Sequence, residues 1–379
     1  MKKKSVFWYF SCTVKEKYLP LHEENKPINA SSEMINREII RIKIVQLTYA
    51  YYQNGNKNID TAEKELFFSL SKSYDLYNYL LALIVAVTKE AGRRLEVIQT
   101  RAAREGTPMP SQKFILNRFA LQLSANKMLQ EFLANQKITW AENEVFVGQL
   151  LEQIESSDIY KEYMEDKADS YEADRELWRK LYRTFIMNND ELDSLLEDQS
   201  LYWNDDKDIV DTFVIKTIKR FSEQNGAKEQ LLPEWSSDEE KDFARKLFRA
   251  AILNADQYQR YMSEASRNWD FARLAYMDII LMQLAIAEVM TFPNIPISVT
   301  INEYVELAKL YSTRKSGGYI NGMLDTICRN LIQTGRLTKY MEPKAPKERK
   351  EKEFKGSHNK EDKHEKVSKD DEAPEDDKE

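Results

Sequence analysis

Apolar side chains recur at helical spacing along most of the chain, and no segment shows the β-branched runs between turn residues that strands need. In residues 36–52, NREIIRIKIVQLTYAYY, Ile40, Ile44, Leu47 and Tyr51 fall on one face of a helix. The same spacing predicts helices over about 60–105, 111–135, 140–165, 171–188 and 205–223. The predicted fold class is therefore all-α.

The last third of the chain carries the sharpest patterns. Ser237 or Asp238 can cap a helix that runs to about Ser263, and residues 278–291 are apolar on nearly every side. Such a helix is typical of the interior of a bundle. Thr300 and Glu303 have capping-box spacing, which predicts a helix beginning there. A final helix is indicated by an apolar stripe of Ile320, Leu324, Ile327 and Leu331.

The link between these last two helices, YSTRKSGG (311–318), favours binding of an anion. Arg314 and Lys315 are expected to be exposed, and Gly317 and Gly318 permit positive φ or a close approach of a ligand to the backbone. The first N–H groups of the following helix point outward. Tyr319 beside them can stack on an unpaired base, and so can Tyr49 in the first helix. This corner is a candidate phosphate site, although an ordinary helix-helix turn has the same composition.

Charge and composition exclude several classes of chemistry. The formal net charge of the 379 residues is -7, so any surface for nucleic acid must be a local basic patch. Cys12 and Cys328 are far apart, which fits a reducing compartment and predicts a cytoplasmic protein. The three histidines lie in the terminal segments. We therefore expect no metal, no cofactor and no catalytic triad.

Three further segments are assigned from composition. Residues 1–33 are predicted to be a disordered extension. Their basic and apolar start imitates a signal peptide, but no cleavage site follows it. Residues 343–379 alternate Lys and Glu and predict a disordered tail. The acidic stretch 142–211, which includes Asp205, Asp206 and Asp208, is interpreted as a solvated face, since it lacks the spacing of a calcium loop. No apolar run is long enough to span a membrane.

Three segments in order resemble the NusB transcription antitermination family. INEYVELAKLY followed by SGGYINGMLDTI (301–327) is similar to the C-terminal family signature I-N-E-x-V-E-L-A-K and S-x-x-F-V-N-G-V-L-D. NWDFARLAYMDIILMQLAIAEV (268–289) resembles the segment that precedes this signature. NREIIRIKIVQLTYAYYQ (36–53) resembles the first helix of the family. The resemblance assigns 34–60 and 236–336 to a NusB-like RNA-binding domain and leaves 61–235 as a large helical insertion.

The resemblance implies an all-helical bundle of two subdomains, and it implies a function. The family binds the boxA element of nascent RNA together with the ribosomal protein NusE and loads an antitermination complex on RNA polymerase. Arg37 and Arg41 match the family's N-terminal RNA-contacting cluster, and Lys43 occupies a position that is often polar or basic. Glu288 matches a Glu on the side implied to meet NusE, but a salt bridge within the bundle is an equal alternative. In this chain Glu38 stands where a second Arg is usual, and Tyr319 replaces a Phe.

The predicted RNA-binding residues are therefore Arg37, Arg41, Lys43, Tyr49, Arg314, Lys315 and Tyr319. We expect the cations of the first helix and of the glycine corner to form one positive surface. An enzyme is disfavoured, because a methyltransferase with a NusB-like domain needs a catalytic domain downstream and only a helix end and a charged tail follow here. The alternative is a helical scaffold that binds proteins through the acidic insertion.

Overall fold

The computed structural model describes residues 34–55, 58–203, 205–235, 237–266 and 275–341, which are helical with no strand. The predicted all-α class is therefore confirmed for this part of the chain. The α-helices are α1 (Arg37–Gln53), α2 (Ile59–Glu105), α3 (Arg118–Ser124), α4 (Lys127–Ala134), α5 (Glu144–Ser156), α6 (Asp158–Glu165), α7 (Tyr171–Leu181), α8 (Asp190–Gln199), α9 (Lys207–Arg220), α10 (Asp238–Leu253), α11 (Ala255–Ala265), α12 (Tyr276–Thr291), α13 (Ile297–Tyr311) and α14 (Ser316–Gln333).

Asparagine and glycine set the ends of the first two helices. The Asn36 side chain accepts hydrogen bonds from the backbone N–H groups of Glu38 and Ile39 and so caps α1. Asn58 caps α2 in the same way. The 47-residue helix α2 ends at Gly106, whose φ of 66° belongs to the left-handed region that favours glycine. Both helices agree with the predicted ranges to within two residues.

Three predicted long helices are each divided into two shorter helices in the structure, and in two of them a polar side chain caps the second helix. The buried Asn126 caps α4 and also donates to the carbonyl of Glu229, which separates α3 from α4. Ser157 caps α6 and separates it from α5. Asn254 lies between α10 and α11. Helix α8, which Asn189 caps, was not predicted, because its acidic sequence was not recognised as helical.

Helix α12 lies at the centre of the C-terminal bundle, as its apolar sequence predicts. It packs against α1, α10, α11, α13 and α14, and nearly all of its side chains are buried. The stripe of Ile320, Leu324, Ile327 and Leu331 on α14 is also buried. The predicted capping box is wrong: α13 begins at Ile297 after Pro296, and Thr300 lies buried inside the helix.

The long helix α2, most of which lies in the predicted insertion 61–235, packs onto helices that the resemblance assigns to the NusB-like domain. Helix α2 packs against α1, α9 and α10, and the described part of the chain up to Met341 forms one compact unit. The hydroxyl of Tyr77 on α2 lies 2.7 Å from that of Thr217 on α9 and accepts the backbone N–H of Leu232. The predicted extension 1–33, the tail 343–379, and Trp269 and Leu274 lie outside the described residues. None of the described helices is long and apolar enough to cross a membrane.

Candidate nucleic-acid interface

A buried carboxylate on α12 holds the basic turn between α13 and α14 in place. Asp278, in the first turn of α12, is 5% exposed and accepts hydrogen bonds from the hydroxyls of Ser312 at 2.5 Å and Ser316 at 2.9 Å. Arg314 and Lys315 lie between these two serines and are exposed. The turn is therefore a fixed link, and it presents two cations to solvent.

The two glycines after the turn are ordinary helical residues. Gly317 and Gly318 lie in the first turn of α14, and neither is among the described glycines with positive φ. A Cβ on Gly317 would lie 3.6 Å from Cγ1 of Val305, which is normal van der Waals contact, and one on Gly318 would meet nothing. The structure does not use the positive φ that these glycines permit, since a regular helix already begins at Ser316.

Three tyrosines lie around this turn. Tyr49 of α1 and Tyr276 of α12 make an edge-to-face contact with ring centroids 5.9 Å apart. Tyr276 is 43% exposed and lies two residues before Asp278. Tyr319 is half-buried, and burial together with the charge of Asp278 raises the pKa of its hydroxyl. We call Tyr49, Tyr276, Arg314, Lys315 and Tyr319 the aromatic-basic edge.

Helix α1 reaches the aromatic-basic edge through its second half. The Gln46 amide donates to the hydroxyl of Tyr311 at 3.1 Å, so α1 lies beside the last turn of α13. Tyr49 follows one turn later. Tyr276 was missed by the sequence reasoning. The signal available in the sequence was an aromatic residue directly before an apolar run.

Arg41 is buried in an ion pair and does not face solvent. It is 5% exposed, and its guanidinium donates to both carboxylate oxygens of Glu288 at 2.8 and 2.9 Å. Thr300 donates to the same carboxylate at 2.9 Å. Burial alone would lower the pKa of Arg41, but the hydrogen bonds and charge of Glu288 outweigh it and raise that pKa. The structure contradicts RNA contact by Arg41.

Glu288 is 0% exposed, so the structure also contradicts its predicted contact with a partner protein. The alternative, a salt bridge within the bundle, is what the structure contains. This ion pair joins α1 to α12, and Glu303 of α13 adds a weaker contact to Arg41 at 3.3 Å. Fully hydrogen-bonded buried charges fix the relative position of helices, since other arrangements leave a charge unpaired.

Lys43 is also inaccessible, because the insertion covers it. Its side chain is 1% exposed, and its ammonium lies 2.7 Å from the carboxylate of Asp206. It donates a further hydrogen bond to the carbonyl of Tyr202 at 2.9 Å. Two predictions are therefore wrong: Lys43 does not face RNA, and Asp206 is not part of a solvated acidic face. Neighbouring Asp205 accepts from Gln46 at 3.1 Å, and burial and the charge of Asp206 raise its pKa to about 6.

Arg37 is the cation of the predicted α1 cluster that keeps access to solvent. Its side chain is 40% exposed, lies 3.7 Å from Glu239, and stacks over the Phe243 ring. It lies three residues after Met34, at the start of α1, whereas Gln46 and Tyr49 of the second half reach the turn. The single positive surface predicted from Arg37, Arg41 and Lys43 with Arg314 and Lys315 is therefore reduced to the cations of the turn.

Comparison with known proteins assigns the chain to a family. The NusB family model matches residues 209–329. The transcription antitermination protein NusB of Salinibacter ruber is 33% identical over 132 residues, which cover 33% of this chain and 82% of that protein. The NusB protein of Geotalea daltonii is 35% identical over 134 residues, which cover 35% of this chain and 89% of that protein. The chain belongs to the NusB family. No solved structure matches it.

The NusB match contains the aromatic-basic edge except for Tyr49. It begins at residue 209, inside α9 and upstream of the boundary at 236 drawn from the sequence, and it ends within α14. Asp278, Glu288 and Ser316 all lie within it. In this NusB-family chain those residues form the buried polar contacts that hold α1, α12 and the basic turn together. The exposed residues around these buried contacts are the ones available to a ligand.

Proposed function

We propose that this protein is an RNA-binding transcription antitermination factor. It binds boxA-like nascent RNA together with the ribosomal protein NusE and promotes processive transcription of ribosomal RNA as part of an antitermination complex on RNA polymerase. The observation that carries the proposal is the aromatic-basic edge in a chain of the NusB family, whose relatives are named antitermination proteins. Binding, with no catalysis and no cofactor, is the proposed activity.

The chemistry of the aromatic-basic edge suits single-stranded RNA. Arg314 and Lys315 are exposed on a rigid turn and can contact phosphates, and the guanidinium of Arg314 can do so with two N–H groups. The exposed ring of Tyr276 offers a face on which an unpaired base can stack. Tyr49 supports that ring from the side. The buried Asp278 keeps the turn in place without presenting its charge to the RNA.

The decisive experiment is a titration of the full chain with boxA-like single-stranded RNA at several salt concentrations. We expect Lys315→Ala and Tyr276→Ala to weaken binding by about fivefold to a hundredfold each, which corresponds to about 1–3 kcal/mol for removal of one stacking ring or one charge. For each phosphate that the protein no longer neutralises, the slope of log K against log salt should become shallower by about 0.7. Tyr276→Ala should therefore leave the slope unchanged, whereas Lys315→Ala should reduce it.

Lys246→Ala is the matched control, because Lys246 is an exposed lysine on α10 with a surface ion pair to Asp242. It should bind RNA like the parent. Gel-shift measurements with and without NusE then test the second half of the proposal, where joint binding should be tighter than binding by either protein alone. If Lys315→Ala and Tyr276→Ala both bind like the parent, the aromatic-basic edge is not the RNA site.

A scaffold role for the insertion is the second candidate, favoured by the acidic helix α8, which carries Asp190, Glu191, Asp193, Glu197 and Asp198. Acidic helices repel RNA and attract basic proteins. Copurification with and without ribonuclease separates the two functions. Partners that survive ribonuclease and disappear when surface acids of α8 are neutralised favour the scaffold, and partners that ribonuclease removes favour antitermination.

A further inference from the structure

The insertion contains a cavity of about 300 Å³ that the proposed RNA-binding function does not use. Tyr79 of α2, Phe132 of α4, Ile138, Leu201 and Trp203 form its apolar lining. The Tyr79 ring stacks between Trp140 at 4.3 Å and Trp203 at 5.4 Å, measured between ring centroids. The Trp203 indole donates to the carbonyl of Lys72 at 2.8 Å. One wall is therefore rigid and aromatic, and the volume is at the lower end of the range for ligand pockets.

The mouth of the cavity exposes large apolar side chains. Leu201, which lines the cavity, is 43% exposed, and Phe68 on α2 is 46% exposed. The Phe68 ring lies 5.3 Å from that of Tyr202, another lining residue, so the exposed apolar surface is continuous with the cavity. Adjacent exposed apolar groups at a cavity favour an occupant with more than one apolar side chain.

The electrostatics of the mouth favour a positively charged occupant. Helix α8 ends at Gln199, which lines the cavity, and its last turn contains Glu197 and Asp198 and no basic residue. The carbonyl end of a helix carries partial negative charge, so these two carboxylates add to a negative potential that attracts cations. Asp75 also lines the cavity, and Lys72, at 2.5 Å from it, neutralises that carboxylate.

The chain carries a segment with this chemistry, and its attachment point lies close to the mouth. Residues 2–10 read KKKSVFWYF, three lysines followed by an apolar run with four aromatic residues. Met34 is the first described residue after this segment, and its backbone N–H donates to the carbonyl of Pro233 at 3.0 Å. Trp235, two residues on, packs against Phe67, the neighbour of Phe68.

The connecting chain is long enough to reach the cavity. The distance along α2 from Phe67 to Asp75 is about 12 Å. The 23 residues between Phe10 and Met34 can span up to about 80 Å when extended. A tether of this kind gives an effective concentration of about 1 mM, so even weak intrinsic affinity produces substantial occupancy.

We propose that residues 2–10 bind this cavity in the same chain. An aromatic side chain of residues 7–10 enters the cavity, its apolar neighbours cover Phe68 and Leu201, and Lys2–Lys4 lie against Glu197 and Asp198. This contact is independent of RNA binding, because the aromatic-basic edge contains none of these residues.

Protease protection in the full chain tests the contact. Chymotrypsin cleaves after Phe7, Trp8, Tyr9 and Phe10 only when these side chains are free, and mass spectrometry of the released N-terminal peptides measures the rate. We expect Leu201→Ser to raise this rate by about fivefold or more, which corresponds to an intrinsic affinity at least a few times tighter than the effective concentration. Leu253→Ser, at an exposed leucine of α10, is the control and should leave the rate unchanged.

A charge variant makes the test independent of the folding of Leu201→Ser. Replacing Lys2, Lys3 and Lys4 with Glu changes no described residue and should raise the cleavage rate in the same way. Zero-length cross-linking with a carbodiimide should join Lys2–Lys4 to Glu197 or Asp198. An equal mixture of isotopically light and heavy protein should give cross-links within one chain. Cross-links between chains would overturn the intramolecular proposal, and so would cleavage at equal rates in the parent, Leu201→Ser and the charge variant.

Discussion

At the scale of single residues, the side chains that match the family motifs, together with their neighbours, divide into buried polar contacts and exposed residues. Arg41 with Glu288, and Asp278 with Ser316, are nearly fully buried and hydrogen-bonded. They cannot touch a ligand in this structure. Arg314, Lys315 and Tyr276 lie around them and remain accessible. Matching a family motif therefore identifies residues that position the proposed RNA-binding surface as well as residues that would form it.

The Arg41–Glu288 pair gives a prediction at this scale. Arg41→Met leaves the buried Glu288 carboxylate without its cation and should lower the free energy of unfolding by about 3–5 kcal/mol. Arg37→Met removes an exposed cation 3.7 Å from Glu239 and should cost at most about 1 kcal/mol. Urea denaturation followed by circular dichroism measures both.

A double variant distinguishes loss of the ion pair from loss of packing. Arg41→Met combined with Glu288→Leu removes both charges and should recover much of the stability, since apolar replacements of buried pairs are often neutral. Equal destabilisation by Arg41→Met and Arg37→Met would show that the pair contributes no more than a surface contact.

At the scale of secondary structure elements, polar side chains decide where helices end. Apolar periodicity continues through residues 111–135 and 237–263, yet each range contains two helices. The division at Asn126 follows from a buried side chain that caps one helix and bonds to the distant Glu229 carbonyl. Helix periodicity was predictable, because it depends on local spacing. The break at Asn126 was not, because its hydrogen-bond partner lies far along the chain.

The glycines at two helix ends give the prediction at this scale. Gly318→Ala places a methyl group in open space on a regular helix and should change stability by between zero and about 1 kcal/mol in the stabilising direction. Gly106→Ala forces φ of 66° on a residue with a side chain and should destabilise by about 1–2 kcal/mol. Thermal unfolding of the two variants compares them directly.

RNA titration of Gly318→Ala also tests which groups of the turn contact the phosphates. If phosphates contact the side chains of Arg314 and Lys315, Gly318→Ala should bind RNA like the parent. A large loss of affinity would indicate instead that RNA approaches the backbone of the first turn of α14.

At the scale of the whole molecule, the described helices of the predicted insertion 61–235 and those assigned to the NusB-like domain share one hydrophobic core. Lys43 of α1 is paired with Asp206, which lies within the predicted insertion 61–235. Tyr77 of α2 bonds to Thr217 and Leu232, which lie within the NusB match. Residues 61–235, the predicted insertion, therefore pack into the same structure as the rest of this NusB-family protein, and Asp206 covers a cation that the family resemblance assigned to RNA.

One cooperative unit should unfold in one step. Four of the six tryptophans, Trp140, Trp178, Trp203 and Trp235, lie within residues 61–235, so fluorescence reports mainly on that part of the chain, whereas circular dichroism reports on all helices. We expect the two urea transitions to coincide. As a control, Lys43→Met, which leaves Asp206 buried without its cation, should shift both transitions together. A separate, earlier fluorescence transition would show instead that the insertion is an independent domain.

The sequence by itself determined the helical class, the buried character of α12, the family membership and the exposed basic turn, because each depends on residue spacing within a short segment. Only the tertiary structure decided which polar residues remain available. Arg41 and Glu288 are 247 residues apart, and the partners of Lys43 are likewise distant. A charged side chain in a motif looks the same in sequence whether it faces RNA or a buried carboxylate, since burial depends on which distant segment packs against it.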